Sequence, residues 1–252
     1  MFRRMLLPLG MLASSMGFAQ SNPSSESRNQ TSVPFVGCEA DGQTGPVKAP
    51  DSKSVHVLIS ADAASRLAYY KSEEGLGVLA PRGWHCFGVY GSNGYALYVS
   101  PERITASELL SSKWKGFAGP AIELAAQNGD TSGRFTVARV IAHVFPERKP
   151  FVERVIAEGI EPADSFPSGP YPADKLTYRS KQMVEYATPA NADGLGTDSR
   201  LIKSAHPIRG VAILVGETPD LVHLAVRLSP DLSNLASSII QQLEGDAERS
   251  DH

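Results

Sequence analysis

The chain has 252 residues, with 24 lysines and arginines against 27 aspartates and glutamates, which gives a formal net charge of −3 at pH 7. A mildly acidic chain without a basic run is poorly suited to bind nucleic acid, so we predict no nucleic-acid partner. The length is sufficient for one large hydrophobic core or two smaller ones.

The N-terminus has the pattern of a secretory signal peptide. Arg3 and Arg4 precede an apolar segment, and Gly17 and Ala19 place small residues where signal peptidase cleaves. The apolar segment is shorter than the ~20 residues that cross a bilayer, and no second one follows. We predict a signal peptide over residues 1–19, a periplasmic or secreted protein, and no integral membrane span after cleavage. An uncleaved N-terminal anchor is the alternative.

The segment after the predicted signal peptide contains almost no apolar side chains. Residues 20–34, QSNPSSESRNQTSVP, are therefore predicted to form a disordered leader. Cys38 and Cys86 are the only two cysteines, and an even pair in an oxidising compartment favours a disulfide. Two free thiols, or one cysteine that acts as a nucleophile, are the alternatives.

The first regular elements are predicted from Val55 onward. Val55–Ile59 has the composition of a strand, and Ser60 or Asp62 can cap a helix that ends near Gly75.

The segment APRGWHCFGVYGSNGYALYVSPE, residues 80–102, predicts a β-hairpin that turns within Gly91–Gly94. Side chains alternate along a strand, so each face of the hairpin can be assigned. One face carries Cys86, Gly88, Tyr90, Tyr95, Leu97 and Val99, and the other carries His85, Phe87, Val89, Ala96 and Tyr98. Both faces are largely apolar, which predicts a sheet that is covered on both sides.

The middle of the chain predicts two helices and a loop. Residues 131–145 have apolar side chains at helical spacing, although strict alternation along a strand also fits them. A short helix follows over Phe151–Glu158, started by Pro150 and stopped by Gly159. Residues 161–174 contain four prolines and predict an irregular loop.

The C-terminal part predicts three strands and a final helix. The strands are Thr177–Tyr186, Val211–Val215, and a third that ends at Leu228, in which His223, Ala225 and Arg227 alternate with apolar residues. Ser229 caps the final helix, which has Pro230 at its first position.

Strands in meanders followed by helices predict an α+β fold with antiparallel sheets packed against helices. We predict one globular unit over residues 35–245, built as a single unit or as two halves, 35–160 and 175–245. The tail, residues 246–252, is predicted to be disordered.

The sequence provides no coherent catalytic set. His85 and Cys86 are neighbours on a strand and point to opposite faces, so they cannot form a dyad. The six histidines include no H-x-x-x-H pair, and no C-x-x-C is present. Ser112 and Lys115 match the S-x-x-K spacing of penicillin-recognising enzymes, but the companion motifs are absent. We predict no cofactor, no metal and no catalytic residue.

A binding surface has more support than an active site. Aromatic residues cluster beside an arginine, and such groups make good recognition surfaces. The candidate ligand-binding residues are Arg82, Trp84, Tyr90 and Tyr95. The alternative is that these side chains pack in the core or at the rim of the sheet.

Two polar pairs, Arg139 with His143 and His223 with Arg227, could line a groove or could occupy solvent-exposed faces. The sequence is compatible with both locations.

Four segments together resemble a family of exported bacterial proteins of unknown function. They are GCEADGQTGPVKAP (37–50), AYYKSEEGLGVLAPRGWHCFGVYGSNGYALYVSP (68–101), TSGRFTVARVIAHVFP (131–146) and FPSGPYPADKLTYRSK (166–181). The resemblance implies a secreted bacterial protein and supplies no catalytic residue. More distantly, GLGVLAPRGW and the last strand and helix are similar in layout to PsbP-like α+β proteins, which act mostly as binding or assembly factors.

The sequence therefore favours a non-enzymatic binding or assembly module of the cell envelope, whose partner is an envelope protein or a small ligand. One alternative is a periplasmic hydrolase with a site assembled from distant residues. Another is an inhibitor or immunity-type protein that uses the Gly91–Gly94 tip of the hairpin.

Overall fold

The computed structural model describes residues 29–109 and 111–250. The predicted signal peptide, the first part of the predicted leader and the last two residues lie outside the described residues.

The strands, in chain order, are β1 (Asn29–Gly37), β2 (Ala40–Gly42), β3 (Ser54–Ile59), β4 (Leu67–Lys71), β5 (Val78–Pro81), β6 (His85–Gly91), β7 (Gly94–Ser100), β8 (Ala121–Gln127), β9 (Lys175–Tyr178), β10 (Met183–Thr188), β11 (Ile208–Val215) and β12 (Asp220–Arg227). The α-helices are α1 (Ala61–Arg66), α2 (Ala106–Leu109), α3 (Arg134–Val144), α4 (Lys149–Ala157) and α5 (Ala236–Ser250). Short 3₁₀ turns cover Pro146–Arg148, Ala163–Ser165, Leu195–Asp198 and Pro230–Leu235.

The strands form two sheets, which confirms the predicted α+β class. The small sheet has the order β3-β1-β4-β5, and the large sheet has the order β2-β6-β7-β8-β12-β11-β10-β9. Pairing is antiparallel except between β1 and β4 and between β2 and β6. The chain passes from the small sheet to the large one between β1 and β2, where Cys38 lies.

The predicted hairpin is confirmed, including its faces. Strands β6 and β7 are joined by a two-residue turn, with Tyr90 opposite Tyr95 and Cys86 opposite Val99. Helices α3 and α4 lie where the helical pattern placed them.

Both faces of the large sheet are covered, as the sequence predicts. One face packs against α5 and the small sheet, in a core that includes Leu97, Leu124 and Ile239. The opposite face packs against α3 and α4 at one end, and against a smaller cluster around Tyr98 and Trp114 at the other. Between these two clusters the sheet carries small side chains.

The prediction of a disordered leader through Pro34 is wrong for its described part. Residues 29–34 belong to β1, where Val33 is 1% exposed and lies opposite Val55 of β3. The strand is held by one buried valine, by the pairing of residues 29–34 with β3, and by the pairing of residues 35–37 with β4, so its polar composition did not predict its structure.

The first helix is shorter than predicted. It ends at Arg66 instead of near Gly75, because Leu67–Lys71 form β4 between β1 and β5. Tyr69 and Tyr70 in this segment favour a strand, and Tyr70 is fully buried there.

Two C-terminal predictions also need correction. The single strand predicted over Thr177–Tyr186 is a pair, β9 and β10, joined by a polar turn. The tail predicted to be disordered from residue 246 is helical as far as Ser250, because Ala247 continues the apolar stripe of α5 onto the core.

Within the described residues, the helices lack the combination of length and apolar character that a membrane crossing needs.

Candidate functional site

The two cysteines form the predicted disulfide. Cys38 and Cys86 are bonded, with their Cα atoms 5.4 Å apart. Both sulfurs are therefore used in a covalent link between the β1–β2 connection and the start of β6, and the alternatives of free thiols or a cysteine nucleophile are wrong.

Two of the four predicted ligand-binding residues have structural contacts instead. The Arg82 side chain donates hydrogen bonds to the carbonyls of Leu67 and Ala64, at 3.0 and 2.6 Å, and so fixes the junction of α1 and β4. Trp84 packs against the main core.

Tyr90 and Tyr95 lie at one end of a cleft, but their hydroxyls are engaged elsewhere. The Tyr90 hydroxyl donates to the carbonyl of Gly45 at 2.6 Å. The Tyr95 hydroxyl accepts from the backbone N–H of Leu76 at 2.8 Å. Both hydroxyls stabilise the fold around the hairpin.

This cleft, which we call the sheet-face cleft, has a volume of about 450 Å³ and lies over β7, β8 and β12. It occupies the gap between the α3–α4 cluster and the Tyr98 cluster. The gap exists because Gly94, Ala96 and Ala125 are small. The polar side chains that line it include Tyr98, Glu123, Gln127, Thr136, Arg200 and His223.

Glu123 is the acidic group at the floor of the cleft. It lies on β8 opposite Tyr98 of β7 and Ala225 of β12, and it is only 7% exposed. Its Oε2 accepts a hydrogen bond from the backbone N–H of Arg200 at 2.5 Å. Burial raises the pKa of this carboxyl to about 7, because the ionised form is poorly solvated there.

His223 is the second buried polar group at the floor. It lies on β12 opposite Ala125, is 7% exposed, and packs its ring 5.4 Å from that of Tyr186. Its Nε2 atom is buried and has no hydrogen-bond partner among the described residues. Burial lowers the pKa of the imidazole to about 4, so the ring is neutral at pH 7.

Glu123 and His223 are diagonal neighbours on adjacent strands and share one face. Diagonal positions in an antiparallel pair are separated by ~7–8 Å, within reach of a single small ligand. Because the two residues are 100 positions apart in sequence, only the β8–β12 pairing brings them together.

One wall of the cleft depends on Tyr98 and Arg200. The Tyr98 ring packs against Trp114 and Phe117, with centroids 6.2 and 5.9 Å away. Its hydroxyl interacts with the Arg200 side chain, and burial raises its pKa well above the usual range. The Arg200 guanidinium lies over the Trp114 ring, 5.8 Å from its centroid, and the residue is exposed at the cleft mouth.

Arg227 holds this wall in place from below. It is fully buried and donates to the carbonyls of Phe117, at 2.8 Å, and of Ile202. The Ile202 N–H also donates to the Phe117 carbonyl at 3.1 Å, and the Phe117 N–H donates to the Arg200 carbonyl at 2.7 Å. The segment that presents the Arg200 N–H to Glu123 is therefore fixed by a buried guanidinium.

The two predicted polar pairs lie in different parts of the structure. Arg139 forms an ion pair with Glu161 at 2.9 Å, and His143 lies 2.8 Å from the carbonyl of Gly169, both outside the cleft. His223 lines the cleft, whereas Arg227 is buried beneath its wall. Neither His223 nor Arg227 is on an exposed face.

Glu123 and Arg200 were not among the site residues predicted from the sequence. Glu123 is the only charged residue in the apolar strand AIELAAQ, and an isolated acid in such a strand is a signal that could have found it. Arg200 lies in a loop and has no comparable signal.

The arrangement offers a protonatable carboxyl and a neutral imidazole in a concave site. Such groups can bind hydrogen-bond donors or transfer protons. In the described part of the chain, no serine, threonine or cysteine side chain is hydrogen-bonded to a histidine ring, and the bond from the His206 backbone N–H to the Ser204 hydroxyl does not involve the imidazole. Nor do the described residues contain a group of three or more metal-ligating side chains.

Comparisons with protein-family models, with curated proteins and with solved structures found no match. The resemblance to exported bacterial proteins and to PsbP-like proteins therefore stays a prediction.

Proposed function

We propose that this protein is a non-enzymatic binding module of the bacterial cell envelope, and that its small ligand occupies the sheet-face cleft. The observation that carries the proposal is the pair of buried polar side chains at the cleft floor. Glu123 and His223 are each 7% exposed, and Nε2 of His223 has no partner in the described chain. Buried polar groups in folded proteins almost always have a hydrogen-bond partner in the protein, in ordered water or in a ligand, and we propose that a ligand in the cleft supplies the partner that Nε2 lacks.

Export is supported by two independent features. The first is the signal-peptide pattern of residues 1–19. The second is the Cys38–Cys86 disulfide, a bond that persists in oxidising compartments.

The proposal is tested by closing the cleft. Ala125 lies between Ala96 and His223 across the floor and is 8% exposed, so Ala125→Leu places a larger side chain in the cavity. Ala157→Leu, at an exposed position of α4, adds the same atoms outside it.

We expect native mass spectrometry of the protein purified from the periplasm to show a small-molecule adduct for the wild type and for Ala157→Leu. Ala125→Leu should lose it while keeping its circular dichroism spectrum. A wild type that carries no adduct, or an adduct retained by Ala125→Leu, would contradict a ligand site in this cleft.

One observation favours a hydrolase as a second candidate. Glu123 has a pKa near 7, which suits a general acid or base, and it meets His223 only in three dimensions. Hydrolysis of 4-nitrophenyl acetate or of 4-nitrophenyl glycosides above the buffer rate, abolished in Glu123→Gln, would favour this candidate over a binding module.

A further inference from the structure

We infer that the ligand of the sheet-face cleft carries a protonated amine, which pairs with the Glu123 carboxylate and donates a second hydrogen bond to Nε2 of His223. The inference rests on the proposed function and names the chemical class of its ligand.

Glu123 makes no direct ion pair with a basic side chain of the described residues. None of the ion pairs among the described residues includes this carboxyl. Its described hydrogen bond comes from the backbone N–H of Arg200. The guanidinium charge of Arg200 also favours the ionised carboxyl, but this group is exposed, lies over Trp114, and is outweighed by the burial that raises the Glu123 pKa. Buried carboxylates in proteins are normally paired, because an unpaired one is costly to desolvate. A cation in the cleft would supply the pair.

Glu123 and His223 at the floor of the cleft both present atoms that need a hydrogen-bond donor. A neutral imidazole with its proton on Nδ1 presents Nε2 as an acceptor, and an ionised carboxyl is an acceptor only. An ammonium group has three donors and no acceptor, so it can satisfy both atoms. A hydroxyl offers one donor, and a carboxylate offers none.

The charged and titratable groups around Glu123 set the pH response. They are Tyr98 on β7, Tyr186 on β10, His223 on β12, and Asp198 and Arg200 on the segment after β10. Burial raises the pKa values of both tyrosines and of Asp198, and it lowers the pKa of His223 to about 4. Between pH 6 and 8, Glu123 is thus the group at the floor that changes charge.

Binding of a cation requires the ionised form of Glu123 and therefore releases its proton. With a pKa of about 7, the carboxyl is roughly 90% ionised at pH 8 and roughly 10% ionised at pH 6. The affinity for an amine should fall about tenfold between these two pH values. A neutral ligand should show no such change.

Three probes of nearly equal size separate the ligand classes. Benzylamine is positively charged at pH 6 and pH 8, benzyl alcohol is neutral, and benzoate is negatively charged. Each is titrated into the ¹⁵N-labelled protein while amide shifts are followed in the two-dimensional NMR spectrum. We expect benzylamine to shift amides of β7, β8 and β12, and to bind about tenfold more weakly at pH 6 than at pH 8.

Two variants complete the experiment. Glu123→Gln keeps an acceptor for the Arg200 N–H but cannot ionise, so it should lose the preference for benzylamine and its pH dependence. Glu217→Gln removes a carboxylate at an exposed turn and should bind as the wild type does.

Several results would overturn the inference. They are equal or tighter binding of benzyl alcohol or benzoate at these strands, equal affinity for benzylamine at the two pH values, unchanged binding by Glu123→Gln, or no shifts with any probe. Preferred binding of the neutral or the anionic probe would contradict the inference that the ligand is an amine, but it would leave the proposed binding function intact. The proposed function is tested separately, by whether Ala125→Leu retains the small-molecule adduct of the wild type.

Discussion

At the floor of the cleft, burial acts in opposite senses on an acid and on a base. The pKa of Glu123 rises from 4.5 to about 7, and that of His223 falls from 6.5 to about 4. Between pH 4.5 and 7 the folded protein holds a proton on Glu123 that the unfolded chain has lost, so this residue makes stability fall as pH rises. Between pH 4 and 6.5 the unfolded chain holds a proton on His223 that the folded protein lacks, so this residue makes stability rise with pH.

The two contributions nearly cancel between pH 4.5 and 6.5, and single substitutions should expose them. In Glu123→Gln we expect stability relative to the wild type to increase with pH up to about 7. In His223→Phe we expect relative stability to decrease as pH rises from 4 to 6.5. Each change should approach about 3 kcal/mol, since one unit of pKa corresponds to about 1.4 kcal/mol. Urea unfolding at pH 4.5, 5.5, 6.5 and 7.5 measures both differences.

Glu217→Gln is the matched control, and its stability relative to the wild type should be flat across this range. A flat difference for Glu123→Gln as well would mean that the carboxyl is not held in a poorly solvated site.

For single residues, the sequence predicted which face of a strand a side chain occupies more reliably than it predicted the function of that side chain. Alternation placed His223 and Arg227 on one face of a strand, and it placed Tyr98 on the face opposite Tyr95, as the structure confirms. It could not show which face meets a cavity, because that depends on gaps between elements far apart in the chain. Tyr90 and Tyr95 were chosen for their chemistry, yet their hydroxyls hold neighbouring backbone.

Among the elements, β1 depends most on a covalent link. It is an inner strand of the small sheet, between β3 and β4, and the disulfide fastens its C-terminal end to β6 of the large sheet. The bond closes a loop of 48 residues in the unfolded chain. The chain-entropy relation assigns such a loop a stabilisation of about 4 kcal/mol.

We expect the double variant Cys38→Ala/Cys86→Ala to lose about 4 kcal/mol of unfolding free energy in urea titrations. Amide hydrogen exchange should accelerate most in β1, because its first residues bury little apart from Val33. Dithiothreitol should destabilise the wild type and leave the double variant unchanged. A loss below about 1 kcal/mol would show that the pairing of β1 with β3 and β4 suffices without the bond.

Element prediction succeeded where the decisive contacts are local. The hairpin at Gly91–Gly94 needs only alternation and a turn, and its tip is further held by the bond from Asn128 N–H to Asn93 O. It failed where the contacts are distant. Strand β1 pairs with residues up to 34 positions away. The first helix ends early because the next residues form β4, which pairs with β1 on one side and with β5 on the other.

At the scale of the molecule, the large sheet draws on both halves of the chain. Strand β8 comes from the first half and β12 from the second, and seven residue pairs join them, from Leu221 with Gln127 to Arg227 with Ala121. The same pairing builds the cleft floor. The main core also combines residues of the small sheet, of β8 and of α5. Division into two independently folding halves, residues 35–160 and 175–245, is therefore not expected.

We predict one cooperative unfolding transition for the whole chain. Trp84 reports on the main core and Trp114 on the cluster at the opposite face, so tryptophan fluorescence samples both sides of the large sheet. Its urea transition should coincide with that of far-ultraviolet circular dichroism, since coincident probes indicate two-state behaviour. Fragments 29–160 and 175–250 should each be unfolded alone, because each leaves one side of the β8–β12 interface open to water. A dispersed NMR spectrum from either fragment, or two separated transitions in the intact protein, would show instead that the halves are domains and that the cleft lies at their junction.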